Sequence, residues 1–344
     1  MRSQTEPLHR RAWLGSRALL ALVALAGCGT FSNEDIRFVE ALPRREEIRV
    51  VVPAAVAPLA RMSAPLAALA ACTGLGTAET WLSAEKTGQD FNRGIDWVLG
   101  LVDLVRRYPP THREENLRRW GPFDDKEHPG NEIQIVFTRT WPAAAAPDPR
   151  YAYSFEARKK GLAGAFTPVL FGTFVGASAT RGRGQLELDF TAIWAVGMQD
   201  ADTPHGAMEI RYDRSGSPRV SRLTMLPAVQ TQGFGLVQFD YGFAGYADGS
   251  GRFDFAVRNV SGDTLVATAG FDASGAGRDR VEFTRAGDSA PLGSFDQCWT
   301  TDACLTWVND PLDLSCPSRL NCSGGDVATC VAVPGPVPGL PPVP

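Results

Sequence analysis

Between Glu132 and Thr284 the chain keeps returning to one pattern: apolar and polar residues alternate, then a cluster of Gly, Asp and Ser ends the run. The clearest runs are Glu132–Ile135, Tyr151–Phe155, Gln185–Phe190, Met208–Tyr212, Val237–Tyr241, Arg252–Phe255 and Val281–Thr284, with looser ones near 166–175, 220–226 and 265–271. A period of two sends alternate side chains to opposite faces, so each run predicts a strand with one apolar and one polar face. The breaks at Asp213-Arg214-Ser215-Gly216, Asp248-Gly249-Ser250-Gly251, Ser261-Gly262-Asp263 and Ser274-Gly275-Ala276-Gly277 read as turns. Such links are too short for a parallel crossover, so neighbours in sequence must be antiparallel neighbours in space. About ten strands with a single apolar face curl rather than lie flat.

A helix is expected over 90–107. Phe91, Ile95, Val98, Leu99, Val102 and Val105 recur at helical spacing, Asp90 suits the N-cap, Arg106 and Arg107 suit the negative end of the dipole, and Pro109 stops it. Trp97, Leu101 and Leu104 widen the apolar surface until only Gly94, Asp96, Gly100 and Asp103 remain as a thin small or acidic stripe. A helix this apolar wants to be surrounded, and the curved sheet offers the only surface large enough. The expected fold class is therefore α+β, β-dominated: a curved antiparallel β-meander, half-barrel or open barrel, packed on an apolar helix.

Ahead of this body, Arg2, Arg10, Arg11 and Arg17 precede an apolar stretch from Ala18 to Ala26. The stretch is shorter than the roughly 20 residues a membrane helix needs, and the combination reads as a secretion signal. It ends in Leu25-Ala26-Gly27-Cys28, which resembles the lipobox of bacterial lipoproteins, in which the cysteine thiol takes a diacylglycerol before the signal is removed. The alternatives are an ordinary signal that happens to contain a cysteine, or a buried apolar helix. The resemblance implies lipidation at Cys28 and a membrane attachment through that lipid. Gly29, standing where an Asp would retain the protein, implies the outer membrane by the sorting pattern of enteric bacteria. The formal net charge of the full sequence is -4, and loss of the basic leader makes it more acidic still. Without basic blocks, such a chain is a poor match for nucleic acid.

The expected organisation is a signal over 1–27, a lipidated polar tether over 28–49, a helix-plus-sheet domain over 50–290, a Cys-rich segment over 291–332 and a Pro-rich extended tail over 333–344. Within the domain, 50–73 is Ala-rich and broken by prolines, so broken helix or coil is expected there. Besides Cys28 the chain holds Cys72, Cys298, Cys304, Cys316, Cys322 and Cys330. An even number in an exported chain argues for disulfides. The two C-x5-C spacings suggest the local pairs Cys298–Cys304 and Cys316–Cys322, leaving Cys330 to reach Cys72. Zinc is the competing reading, but the spacing is not that of a usual ligand pair and no histidine lies near.

Catalytic signatures are thin: there is no G-x-S-x-G elbow, H-E-x-x-H helix or phosphate-binding loop. Asp124, Asp125, Glu127 and His128 fall together, as do Asp200, Asp202 and His205, and either group could hold a cation, although both lie in connectors where solvated charge is ordinary. Arg181 and Arg183, spaced by glycine, could cradle an anion or simply form a hairpin turn. The connector from Arg107 to Phe123 is stiffened by Pro109, Pro110 and Pro122, and Trp120 either pins it to the domain or binds a ligand. Tyr151, Tyr153, Phe155, Phe239, Tyr241, Phe253 and Phe255 either fill the core or, as in barrel carriers, line a cavity for an apolar ligand.

Taken together, the lipobox, the segment Phe38–Pro43 with Ala41-Leu42-Pro43, the connector Pro109-Pro110-Thr111 with Arg113-Glu114 and Trp120-Gly121-Pro122, the β-rich body and the Cys298-Trp299 pair resemble uncharacterised lipoproteins of myxobacterium-type genomes. That family brings no known activity, and a likeness to the half-barrel lipoprotein carriers of the periplasm is one of shape alone. The expected role is a lipid-anchored, non-enzymatic envelope protein that binds a protein partner or an apolar ligand and needs no cofactor. An exported hydrolase working through loop carboxylates is the alternative.

Overall fold

The structure, a computed structural model, describes residues 31–49, 72, 74–78, 81–82, 88–89, 92, 96, 99–100, 103, 105–141, 148–162, 164–178, 181–199, 203, 205–226, 229–231, 235–259, 261–311 and 323–340. Cys28, Asp90, Val102, Asp200, Asp202, Cys316, Cys322 and most of the 50–73 segment lie outside the described residues.

One antiparallel meander dominates. Its strands are β1 (His112–Glu114), β2 (Leu117–Asp124), β3 (Asn131–Thr140), β4 (Arg150–Lys159), β5 (Thr167–Ser178), β6 (Arg181–Asp189), β7 (Ala207–Asp213) and β8 (Arg219–Leu226). It continues through β9 (Val229–Thr231), β10 (Gly235–Gly245), β11 (Gly251–Arg258), β12 (Thr264–Phe271), β13 (Gly277–Thr284), β14 (Gly293–Trp299), β15 (Leu305–Asn309) and β16 (Gly324–Gly325). Every strand lies beside its neighbours in sequence, except that β8 pairs with β10 while the short β9 folds back on β10. The predicted turns build the hairpins. Asp213, Asp248 and Asp272 each accept the backbone N–H of a serine two residues on, at 2.7, 2.9 and 2.8 Å, and so close the β7–β8, β10–β11 and β12–β13 loops.

The alternation holds across the sheet as one inward row. Phe137, Tyr153, Gly172, Leu186, Ile210, Leu223, Tyr241, Phe255, Ala267, Val281 and Phe295 stand opposite one another from β3 to β14. Gly172 is required in this row because the Tyr153 ring lies across it; a Cβ there would come within 2.6 Å of that ring. Inside the curve, helical residues occur between 81 and 107. Trp81 stacks on Trp299 at 4.8 Å and on Phe253 at 6.1 Å and meets Phe271 edge-on at 5.4 Å. Leu99 and Val105 are buried in the same cluster as Trp120, Phe137 and Tyr212. Fold class and helix placement thus agree with the sequence reading.

Several boundaries do not. Among the described residues the meander has 16 strands, where about ten are expected. β1 and β2 occupy what reads as a connector, because the inward residues of β2 are Arg118 and Trp120 and its register breaks between Trp120 and Phe123, which erases the alternation. Gly121 sits at that break with φ +98°, where a Cβ would meet the Ile133 carbonyl at 2.7 Å. β14 to β16 extend the same sheet, so the Cys-rich 291–332 is not a separate segment; β14 is buried on both faces at Phe295 to Trp299 and shows no period. Helical residues also occur ahead of Asp90, at 81–82 and 88–89. A short helix, α3 (Phe190–Val196), replaces the expected end of a strand: Asp189 caps it by accepting from Ala192 N at 2.9 Å, and Gly197 closes it in the left-handed region at φ +73°.

Both termini of the described chain are docked. Residues 33–48, read as a polar tether, form α1 (Asn33–Glu40) and α2 (Arg45–Ile48), with Phe38, Leu42 and Ile48 fully buried. Arg45 of α2 pairs with Asp103 at 3.1 Å, and Arg49 just beyond it pairs with Asp96, so the acidic stripe of the inner helix is what α2 sits on. Residues 333–340 of the Pro-rich tail strap the outer face of the sheet. Asp254 accepts the Val337 N–H at 3.0 Å, Arg252 donates to the Pro334 carbonyl at 3.2 Å, and Val337 is buried above Gly242.

Candidate functional site

Two disulfides tie the last strands to distant parts of the chain. Cys72 bonds Cys304 and Cys298 bonds Cys330, with Cα atoms 5.3 and 5.4 Å apart. The expected pairs Cys298–Cys304 and Cys72–Cys330 are therefore corrected. Cys298 stands opposite Trp307 in the ladder, three residues past Cys304. Thr77 bridges to Cys304 and brings Cys72 alongside, while the turn at Val327–Thr329 carries Cys330 to Cys298. Spacing in sequence misled because chain separation does not fix which faces of adjacent strands the sulfurs occupy.

The aromatic candidates are placed in the core. Tyr153, Phe155, Tyr241 and Phe253 are buried and Phe255 partly so, in one cluster. Phe137 stacks on Tyr153 at 5.5 Å, and Tyr241 lies 6.3 Å from Phe253. The side chain of Phe239 lies outside the described residues. Tyr153 donates to the Gln185 carbonyl at 3.3 Å, and burial pushes the phenols of Tyr153, Tyr212 and Tyr241 well up. No proton leaves them near neutral pH, which is the behaviour of core tyrosines.

The loop carboxylates are drawn into local bonds. Asp125 accepts from the backbone of Glu127 at 2.9 Å and of His128 at 3.2 Å, and its other oxygen lies 3.1 Å from His128 Nδ1. Asp124 turns away to Lys160 at 2.6 Å, and Glu127 is exposed. His205 stacks on Trp194 at 4.7 Å. Among the described residues, no group of three or more His, Cys, Asp or Glu is placed to hold a metal ion. Arg181 pairs across the β5–β6 hairpin with Ser178, and Arg183 stands opposite Asp213. Trp120 is buried and donates to the Tyr108 carbonyl at 2.6 Å, where it satisfies an acceptor just past the inner helix.

Two polar constellations escaped the sequence reading. The first clasps α1 to β1, β2 and β3. Ser32 caps the helix: its side-chain oxygen accepts from the Asp35 N–H (3.1 Å) while its own N–H donates to the Asp35 carboxylate (2.9 Å). That carboxylate is fully buried and receives Arg118 Nε at 2.6 Å and Arg113 Nε at 3.1 Å. Burial alone would raise its pKa, but the Ser32 N–H and the two guanidinium groups outweigh it and hold the acid ionised. Arg118 and Arg139 lie over Phe38 at 4.7 and 5.1 Å, and Arg139 also bonds Glu34 at 2.7 Å and so lowers its pKa. The arrangement is a docking clasp. The S-x-x-D capping box from Ser32 to Asp35 was its legible signal.

The second constellation is inside the sheet. Asp279 of β13 faces Gln297 of β14, both buried, and Gln297 Nε2 donates to Asp279 Oδ2 at 2.8 Å. The remaining oxygens, Asp279 Oδ1 and Gln297 Oε1, are buried acceptors without a hydrogen-bond partner. Burial pushes the Asp279 pKa up to about 8, the Gln297 bond opposes the shift and the Asp296 charge adds to it. A neutral acid here would donate to Gln297 Oε1 and close a two-bond ring.

No helix among the described residues is long and apolar enough to cross a membrane. Comparison of the chain with protein families, with curated proteins and with solved structures returns no match.

Proposed function

We propose that this protein is a lipid-anchored component of the bacterial cell envelope, held at the outer membrane through Cys28 and working by non-covalent association with a protein partner. The tripartite leader and the Leu25-Ala26-Gly27-Cys28 box support the anchor. A diacylglyceryl group supplies two chains, which is what stable attachment takes. The observation that supports the second half is the packing on the concave side around Trp81, which stacks on Trp299 and Phe253, so that this part of the space in which a barrel carrier would hold its ligand is taken by the chain's own side chains. The internal engagement of Asp124 and Asp125 speaks against the hydrolase reading.

Native mass spectrometry of the detergent-extracted protein tests both halves. The expected species begins at Cys28, carries the mass of a diacylglyceryl group and holds no stoichiometric apolar ligand. In the Cys28→Ser variant the acyl mass and the membrane fractionation are both lost. An unlipidated wild-type chain would overturn the anchor, and a retained apolar ligand would overturn the partner-binding reading.

A further inference from the structure

The docked body begins very close to the anchoring cysteine. Ser32 is fixed by its reciprocal bonds with Asp35, and Asp35 is buried on Arg118, so the first turn of α1 cannot swing away from the sheet without breaking the clasp. Only Gly29, Thr30 and Phe31 separate Cys28 from Ser32. Fully extended, four residues reach about 14 Å at most. An acylated cysteine holds its backbone at the level of the lipid headgroups, so the start of α1 must stay within roughly that distance of the interface. The body has no room to stand off.

The side chains exposed at that point suit such a position. Ile36, in α1, is 44% exposed, and Trp141, just past the end of β3, is 58% exposed. Trp141 stands beside the first turn of α1: the Arg139 guanidinium lies 5.3 Å from its ring and bonds Glu34 at 2.7 Å. Exposed Arg37, which pairs with the same Glu34, adds a second cation there, whereas Ile36 leaves the helix on a different side from Glu34. Single exposed apolar residues are ordinary, but a tryptophan with two arginines beside the tethered turn matches the chemistry of a headgroup layer, where amphipathic rings collect.

We infer that the face formed by the first turn of α1 and by Trp141 lies on the membrane interface, with Trp141 among the headgroups, so that the anchor sets the orientation of the sheet as well as its location. This rests on the lipidation of Cys28 proposed above. The test uses the full lipidated chain in phosphatidylethanolamine–phosphatidylglycerol vesicles, with and without a lipid brominated along its acyl chain. The emission difference between wild type and Trp141→Phe isolates one of the seven tryptophans that follow Cys28. Brominated lipid is expected to remove roughly half or more of that difference signal. If the protein carries acyl mass on Cys28 and floats with the vesicles while the Trp141 signal is unquenched, the orientation is overturned and the anchor stands; the patch then faces a protein. If Cys28 carries no acyl mass, both fall.

Discussion

Asp279 is the residue whose burial is most consequential, because its ordinary ionised form has no cation to meet on the inner face of β13. Its outward neighbour Arg280 bonds Asp296 at 3.1 Å and Glu282 at 2.8 Å on the other side of the sheet, so Gln297 is left as its hydrogen-bonding partner. With its pKa pushed up to about 8 from an ordinary aspartate value, the folded chain keeps a proton that the unfolded chain has lost across the intervening range. Stability contributed at low pH is therefore lost as pH rises toward 8, by up to roughly 1.4 kcal/mol per pH unit. Asp279→Asn keeps both hydrogen bonds to Gln297 with a neutral amide. Denaturant unfolding between about pH 5 and pH 8 should show the wild type losing stability and the variant nearly level, a difference that follows from proton linkage. Parallel slopes would mean that Asp279 is ionised in the fold.

At the scale of elements, what the sequence displays depends on whether a segment buries apolar side chains with a period. The strands from β3 to β8 and from β10 to β13 were legible because their inward row is nearly all apolar. α1 was not, because the residues it buries are Asp35 and Phe38, and a helix that docks through a carboxylate looks like a polar tether. β2 hides for the same reason, since Arg118 is the other half of that contact. The disulfide pairing was illegible because the spacing of the cysteines does not reveal the β14–β15 register, which sets Cys298 opposite Trp307 and three residues away from Cys304. The clasp also makes the strongest prediction here. Asp35→Ala leaves Arg118 buried and uncompensated, at a cost of about 3 kcal/mol or more, whereas Glu34 is itself part-exposed and the buried Arg139 it bonds keeps the Glu115 carbonyl as an acceptor, so Glu34→Ala should cost clearly less. Thermal melts should separate the two, and amide exchange should rise over 33–40 in Asp35→Ala alone. Equal, small losses would show that Phe38 holds the helix without the ion pair.

For the whole molecule, the central question is how a sheet with so many short-range pairings comes to enclose a helix from its own N-terminal side. Two long-range ties do it. The disulfide from Cys72 to Cys304 spans 232 residues and fastens the approach to the inner helix onto the last strands, and α2 grips that helix through Asp96 and Asp103 near the first ones. Between these ties, Leu99 is 1% exposed and belongs to the same cluster as Trp81, Trp120 and Phe137. A charge at this position strands an ion in an apolar interior, which costs several kcal/mol, comparable with the stability of an entire domain. Leu99→Asp is thus expected to leave no cooperative melting transition. Leu99→Ala, which removes volume without adding charge, should melt cooperatively but with a loss of about 2–5 kcal/mol. Asp103→Asn gives up only part of a half-exposed ion pair with Arg45 and Arg106, so a change below about 1 kcal/mol is expected. The order Asp103→Asn, Leu99→Ala, Leu99→Asp in melting temperature is what an enclosed helix requires. A native melting temperature for Leu99→Asp would place the helix at the periphery and reopen the concave side of the sheet to a ligand.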